Sequence, residues 1–103
     1  MGRAPGLVTV AILRAIRDGR VYGADIVDAT GLGGGTVYKT LGRLQDRGWI
    51  VGTWEEPALA ELEKRPRRRF YRLTADGEAA TAEALRRAHE LAGPRSAEAR
   101  GEV

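Results

Sequence analysis

Arg65, Arg67, Arg68, Arg69 and Arg72 fall within eight positions, RPRRRFYR, with no acid among them. A guanidinium presents a rigid fork of N–H donors that matches phosphate and carboxylate oxygens, so such a run points first to an anionic partner. In an extended segment alternate residues face opposite sides, which sets Arg68 with Phe70 and Arg69 with Tyr71. An arginine-rich strand coming off a hairpin can follow a phosphate backbone or enter a narrow minor groove. The same run also reads as an edge strand guarded by charge against pairing with other chains. Glu55, Glu56, Glu61 and Glu63 lie close enough upstream to fold back on some of the arginines.

A second set of cations lies on a helical segment expected over about residues 35–47. At 100° per residue, Val37, Leu41, Leu44 and Gly48 form one narrow stripe for the core. Gly35, Thr36, Lys39, Arg43 and Asp46 fall opposite, with Tyr38 and Gln45 on one flank and Thr40 and Arg47 on the other. The outward face is small and polar at its start, then basic. That order suits a helix in the major groove, where backbone must come close first and longer side chains then reach base edges and phosphates. An ordinary solvated helix face is the plainer alternative, and Asp46 and Arg47 fit it.

Other chemistry is scarce. The glycine run GLGGGT (residues 31–36) lacks the Lys-Ser/Thr ending of a phosphate loop and follows a helix rather than a strand. It reads instead as a turn that brings a helix N-terminus near a phosphate, where free N–H groups and the helix dipole help. The single histidine, His89, sits among Arg86, Arg87 and Glu90 as a surface residue, and there is no cysteine. Disulfides and thiolate chemistry are excluded, and the absence of cysteine agrees with a reducing cytoplasm. No cofactor or metal site is expected. No acid, base and nucleophile stand at a spacing that would make an enzyme. Trp49 and Trp54, five apart, are expected on opposite faces of a strand, one in the core and one near the hairpin or a contact between copies.

These residues need elements to hold them. Leu7 to Asp18 carry apolar residues at spacings of three and four, a helix stopped by Gly19, with an apolar face too broad for burial on one side. A short helix is expected from about Tyr22 to Ala29, closed by the glycines that precede the third helix. Residues 49–54 and 70–73 are β-type, joined by a long loop in which Pro57 can start one helical turn. Thr74 is placed to cap a last helix over about 75–92, ended by Gly93 and Pro94, with a frayed tail over 93–103. Helix, helix, turn, helix, two-stranded ribbon, helix is mainly α with a small antiparallel β-wing: a winged helix-turn-helix over 1–74 followed by a C-terminal helix. At 103 residues this is one small unit; no apolar run reaches membrane-spanning length and the start does not read as a signal peptide, so no membrane partner is expected. The net charge of +3 is modest. Without the arginines of 65–72 the remainder would be slightly acidic.

Taken together, Tyr22-Gly23, Gly35-Thr36-Val37-Tyr38, Leu41 with Arg43-Leu44, Gly48-Trp49-Ile50, Trp54, and Arg67 through Thr74 followed by Gly77 resemble the PadR-like transcriptional regulators over about residues 7–92. The resemblance implies a homodimeric winged helix-turn-helix repressor that binds operator DNA and can release it on an effector, although the short helix pair gives no evident large apolar pocket for one. Matched by position, Tyr22, Gly35, Thr36, Tyr38 and the wing arginines Arg65, Arg67, Arg68 and Arg69 are the implied DNA contacts, joined by Lys39 and Arg43 from the helix pattern. Where the family commonly has proline after the tyrosine, this chain has Lys39, and Val37 replaces a leucine. Larger members carry a longer C-terminal helical domain; here one helix is available. Its stripe of Ala80, Ala84, Ala88 and Leu91 suits close approach to a partner's first helix, where Leu7 and Val10 offer spare apolar surface. A two-fold dimer would hold two reading helices one DNA turn apart, roughly 34–36 Å, on a palindromic operator. A winged-helix module that docks an acidic protein partner is the alternative, and an RNA-binding use of the arginines a third.

Overall fold

In the computed structural model, which describes residues 5–101, the chain forms α1 (Leu7–Arg17), α2 (Gly23–Thr30), α3 (Gly34–Asp46), β1 (Ile50–Trp54), α4 (Pro57–Leu62), β2 (Arg69–Leu73) and α5 (Ala75–Gly101). The first helix is central because its apolar residues wrap most of its circumference. Ile12, Leu13, Ala15 and Ile16 are buried and meet Ile26 of α2, Val37, Leu41 and Leu44 of α3, Ile50 of β1 and Tyr71 of β2. Burying aliphatic side chains of this size contributes about 1.5–3 kcal/mol each. Earlier along α1, Leu7 and Val8 are exposed.

The turn between α2 and α3 is built by local hydrogen bonds. Gly31 closes α2 in the left-handed region (φ 72°), and its N–H donates to the Val27 carbonyl at 2.9 Å. The Thr30 hydroxyl donates to the Ile26 carbonyl at 2.7 Å and accepts from the Leu32 N–H. Leu32 then packs on the core and fixes the entry to α3. Gly33 is the N-cap of α3 and provides no side chain to bond the first-turn N–H groups. Gly34 and Gly35 lie inside that first turn, where N–H groups have no intrahelical partner in any helix. The core stripe read from the sequence is buried as expected, with Val37 0%, Leu41 1% and Leu44 2% exposed.

β1 and β2 pair antiparallel from Ile50 opposite Leu73 to Trp54 opposite Arg69. Tyr22 adds a single bridge to Phe70, and the Tyr71 N–H donates to the Val21 carbonyl at 2.9 Å, so the segment before α2 is stitched to the ribbon. The loop between strands holds α4, with Pro57 at its first turn, as the sequence suggested. Trp49 packs on the core, whereas Trp54 is half exposed on the ribbon.

Thr74 starts α5. Its hydroxyl accepts from the Gly77 N–H at 3.0 Å and donates to the Gly48 carbonyl at 2.7 Å, and its own N–H donates to the Trp49 carbonyl at 3.0 Å. α5 packs on α1 and β2. Two expectations change here. The helix does not end at Gly93–Pro94 but continues to Gly101. Proline removes one N–H and crowds the carbonyl four residues back, yet Ala97, Glu98, Ala99 and Arg100 beyond it are strong helix formers that favour continuation. Of the frayed tail expected over 93–103, residues 102–103 lie outside the described residues. The stripe expected to face a partner is also divided: Ala84 is buried within this single chain and Ala80 half-buried, because the Thr74 turn brings α5 back over its own α1; Ala88 and Leu91 stay exposed.

Candidate nucleic-acid interface

The outward face of α3 is open. Thr36, Tyr38, Lys39, Arg43 and Asp46 are exposed. Among the described residues no ion pair engages Lys39 or Arg43, so both ammonium and guanidinium are available to an anion. Tyr38 leans on Gly23 at the start of α2: a Cβ at Gly23 would stand 2.6 Å from ring carbons of Tyr38. That close approach holds the half-exposed phenol beside the outward face of α3.

The wing is organised around a carboxylate. Glu55 directly follows β1 and is only 3% exposed. Its Oε1 and Oε2 accept from Nη1 and Nη2 of Arg65 at 2.6 and 3.0 Å, a two-pronged pair. Oε1 also accepts the Arg68 backbone N–H at 3.1 Å, Oε2 takes a longer contact from Arg68 Nη2 at 3.4 Å, and the Tyr22 hydroxyl donates to Oε2 at 3.5 Å. The Glu55 carbonyl accepts from Arg67 Nε at 2.9 Å. The hydrogen bond from Arg65 holds the Glu55 carboxyl down at about 2, against the opposing effect of burial, and the same bond pushes Arg65 above its ordinary value. Two of the acids expected to fold back have therefore done so, for Glu63 Oε1 also accepts from Arg65 Nε at 2.8 Å, and Arg65 is committed to both.

Arg67, Arg68 and Arg69 sit near aromatic rings, where the cation meets the negative face of the π system. Arg68 lies 3.9 Å above the Tyr22 ring and Arg67 5.8 Å from the Trp54 ring. Arg69 lies 5.4 Å from Trp54 and 5.9 Å from Tyr71, and its Nη2 donates to Gln45 Oε1 at 3.0 Å. Tyr22, Tyr38, Trp54, Arg67, Arg68 and Arg69 line a common recess of about 440 Å³, which joins the Tyr38 side of α3 to the wing. Among the described residues no cluster of His, Cys, Asp or Glu could hold a metal ion, and no helix is long and apolar enough to cross a membrane.

The family model for the transcriptional regulator PadR-like family matches residues 12–83. The chain belongs to that family. No curated protein matches it. Among solved structures, this PadR-like chain is similar to a PadR-like transcription factor from Bacteroides fragilis, at 25% identity and a TM-score of 0.70, covering 84% of each chain. It is similar to BpsR of Bordetella bronchiseptica, whose DNA binding is described as regulated by 6-hydroxynicotinic acid, at 23% identity and a TM-score of 0.71, covering 96% of this chain and 76% of that one. It is also similar to Bacillus subtilis PadR in complex with operator DNA, at 22% identity and a TM-score of 0.65; 78% of this chain matches 47% of that one. The mainly helical winged helix-turn-helix expected from the sequence is thus the fold of this PadR-like regulator.

Of the residues expected to contact DNA, the structure brings Tyr22, Tyr38, Arg67, Arg68 and Arg69 together around one recess, with Tyr22 half-buried beneath Arg68, while Gly35, Thr36, Lys39 and Arg43 are exposed on α3. Arg65 stands apart as the partner of Glu55 and Glu63, and Arg69 lines the recess while donating to Gln45. Glu55 was read only as one of four acids able to fold back on the arginines, and Gln45 only as a flank residue of the helix. Glu55 carried a signal, the first of several acids just ahead of an arginine run. Gln45, on the flank of a helix, carried none.

Proposed function

We propose that this regulator binds a palindromic operator as a homodimer and represses transcription, with α3 in the major groove and the wing on the backbone or in the minor groove. The observation that carries the reading is one face of α3 and the wing: Lys39 and Arg43, exposed and without an ion pair among the described residues, share α3 with Tyr38, which lines a recess with Arg67 and Arg68. Gly35 and Thr36 give the helix start little bulk, so backbone N–H groups can approach a phosphate, and Thr36 can offer a methyl to thymine. Tyr22 and Tyr38 have hydroxyls suited to phosphate oxygens. Arg67 and Arg68 supply backbone contact, while Arg65 shapes the hairpin through Glu55.

The homodimer is assigned to Leu7 and Leu91, 87% and 85% exposed, with Val10 and Ala88 between them; large aliphatic side chains in that state favour burial by a second copy. The operator complex described for B. subtilis PadR supports the choice of DNA as partner. A gel shift against the region upstream of the chain's own gene, titrated with salt, tests the reading. Binding that weakens steeply as salt rises is expected; no binding, or binding indifferent to salt, would sink it. The docking of an acidic protein partner predicts a stable complex with that protein and no sequence preference in the same assay.

A further inference from the structure

Arg69 lines the same recess as Arg67 and Arg68 but is tied to α3. Its Nη2 donates to Gln45 Oε1 at 3.0 Å, and its guanidinium lies near the rings of Trp54 and Tyr71. Gln45 belongs to the last turn of α3 and Arg69 opens β2, so this one hydrogen bond runs from the groove-facing helix to the wing. It crosses β1 at Gly52. A Cβ there would stand 2.6 Å from Gln45 Oε1 and 2.7 Å from both Nε and Nη2 of Arg69. The missing side chain at Gly52 is the space the bond occupies.

We propose that Arg69 is a positioning residue and not a DNA contact: with Gln45, across Gly52, it fixes the angle of the wing against α3 and thereby sets how sharply the protein discriminates between DNA sequences. The inference rests on the DNA-binding reading above. Reading base edges demands that the helix be held to within a fraction of an ångström. A wing that docks on the backbone at a fixed angle supplies that registration. Binding to arbitrary DNA depends mainly on how many cations meet phosphates and tolerates a loose wing. The brace therefore acts on specificity while leaving the cation count alone.

Three substitutions that conserve charge separate the possibilities. Gln45→Ala removes the acceptor, Gly52→Ala drives the two side-chain ends apart, and Arg69→Lys keeps the cation but loses the fork. Each variant, checked for folding by thermal melting, is titrated with two duplexes: one recovered by the wild-type protein from a randomised pool, and a shuffled duplex of the same composition. Each variant is expected to lose about ten-fold or more in the ratio of the two affinities, the scale of one misread base pair. The slope of log affinity against log salt on the shuffled duplex is expected to stay at the wild-type value. Gln45→Ala combined with Gly52→Ala should be no worse than either alone, because both break one bond. A Gly52→Ala protein that keeps full discrimination, or effects that add, overturns the brace; should Gly52→Ala not fold, the same non-additivity is read from Gln45→Ala with Arg69→Lys. A wild-type chain that enriches no sequence overturns the DNA reading and the brace with it, whereas an enriching chain with unaffected variants overturns the brace alone.

Discussion

Among the cations of this surface, the ones free of protein partners and the ones already engaged are expected to behave differently. Lys39 and Arg43 stand unpaired on α3, so replacing either by alanine should weaken binding to a selected site by about 1–3 kcal/mol if it reads a base, with less effect on shuffled DNA. Arg67→Ala or Arg68→Ala should weaken all sequences alike and shallow the salt slope by about one, as loss of a phosphate contact does. Glu55 makes a third case. Its carboxyl is held at about 2 by the Arg65 hydrogen bond, below the ordinary glutamate value of about 4.3. A group whose pKa is lower when folded stabilises the fold above its unfolded value and loses that contribution as the pH falls through the folded one. The wing should therefore weaken between about pH 4 and pH 2. Glu55→Gln should melt lower at neutral pH and show a flatter acid limb in the same range, followed by thermal unfolding at stepped pH. An unchanged acid limb would mean that this pair does not anchor the wing.

At the scale of elements, the joints matter more than the lengths. Gly77 lies in the first turn of α5 directly against the Trp49 carbonyl, which occupies the place a Cβ would take. That carbonyl is backbone and cannot swing aside, so Gly77→Ala should cost about 1–3 kcal/mol by forcing α5 away from β1, measurable by chemical denaturation. Such a contact also shows what a linear reading could and could not reach. The stripe of Val37, Leu41 and Leu44 was legible because helical spacing alone assigns it to the core, and with it the free face of Lys39 and Arg43. The strand pair was legible from Trp49 to Trp54 and Phe70 to Leu73, where residue types and turn signals agree. The end of α5 was misread because Gly93–Pro94 is a strong stop signal locally, while the helix formers beyond it favour continuation. That acids would engage some of the arginines was legible, but not that Arg65 takes Glu55 and Arg69 takes Gln45. Those pairings depend on which side chains the closed hairpin sets opposite each other across 10 and 24 residues, and no local pattern encodes that.

For the molecule as a whole, α1 serves two purposes. Its second half is the centre of the core, and Leu13→Ala should cost about 2–5 kcal/mol, the usual range for emptying a fully buried leucine site. Its first half leaves Leu7 uncovered, as α5 leaves Leu91. If these surfaces join two copies, Leu7→Glu with Leu91→Glu should shift sedimentation from dimer to monomer while the monomer stays folded; a wild-type chain that sediments as a monomer at every concentration would remove the homodimer. Dimer assembly should also make the melting temperature rise with protein concentration in the wild type alone.

Thr74 gives this architecture a mechanical character. Its hydroxyl takes the first turn of α5 and grips the Gly48 carbonyl just past the end of α3, with a third bond to Trp49 beside it. Three hydrogen bonds thereby couple the end of α3 to the start of α5 like the joint of a lever. At 27 residues α5 spans ~40 Å, so a tilt of ~5° at its far end corresponds to a displacement of ~3–4 Å. A pair of such levers could not adjust separately to badly spaced half-sites: it would have to tilt together or let go. Tolerance for an extra base pair between half-sites should accordingly be low in the wild type and wider in Thr74→Ala, where one oxygen atom fewer loosens that joint.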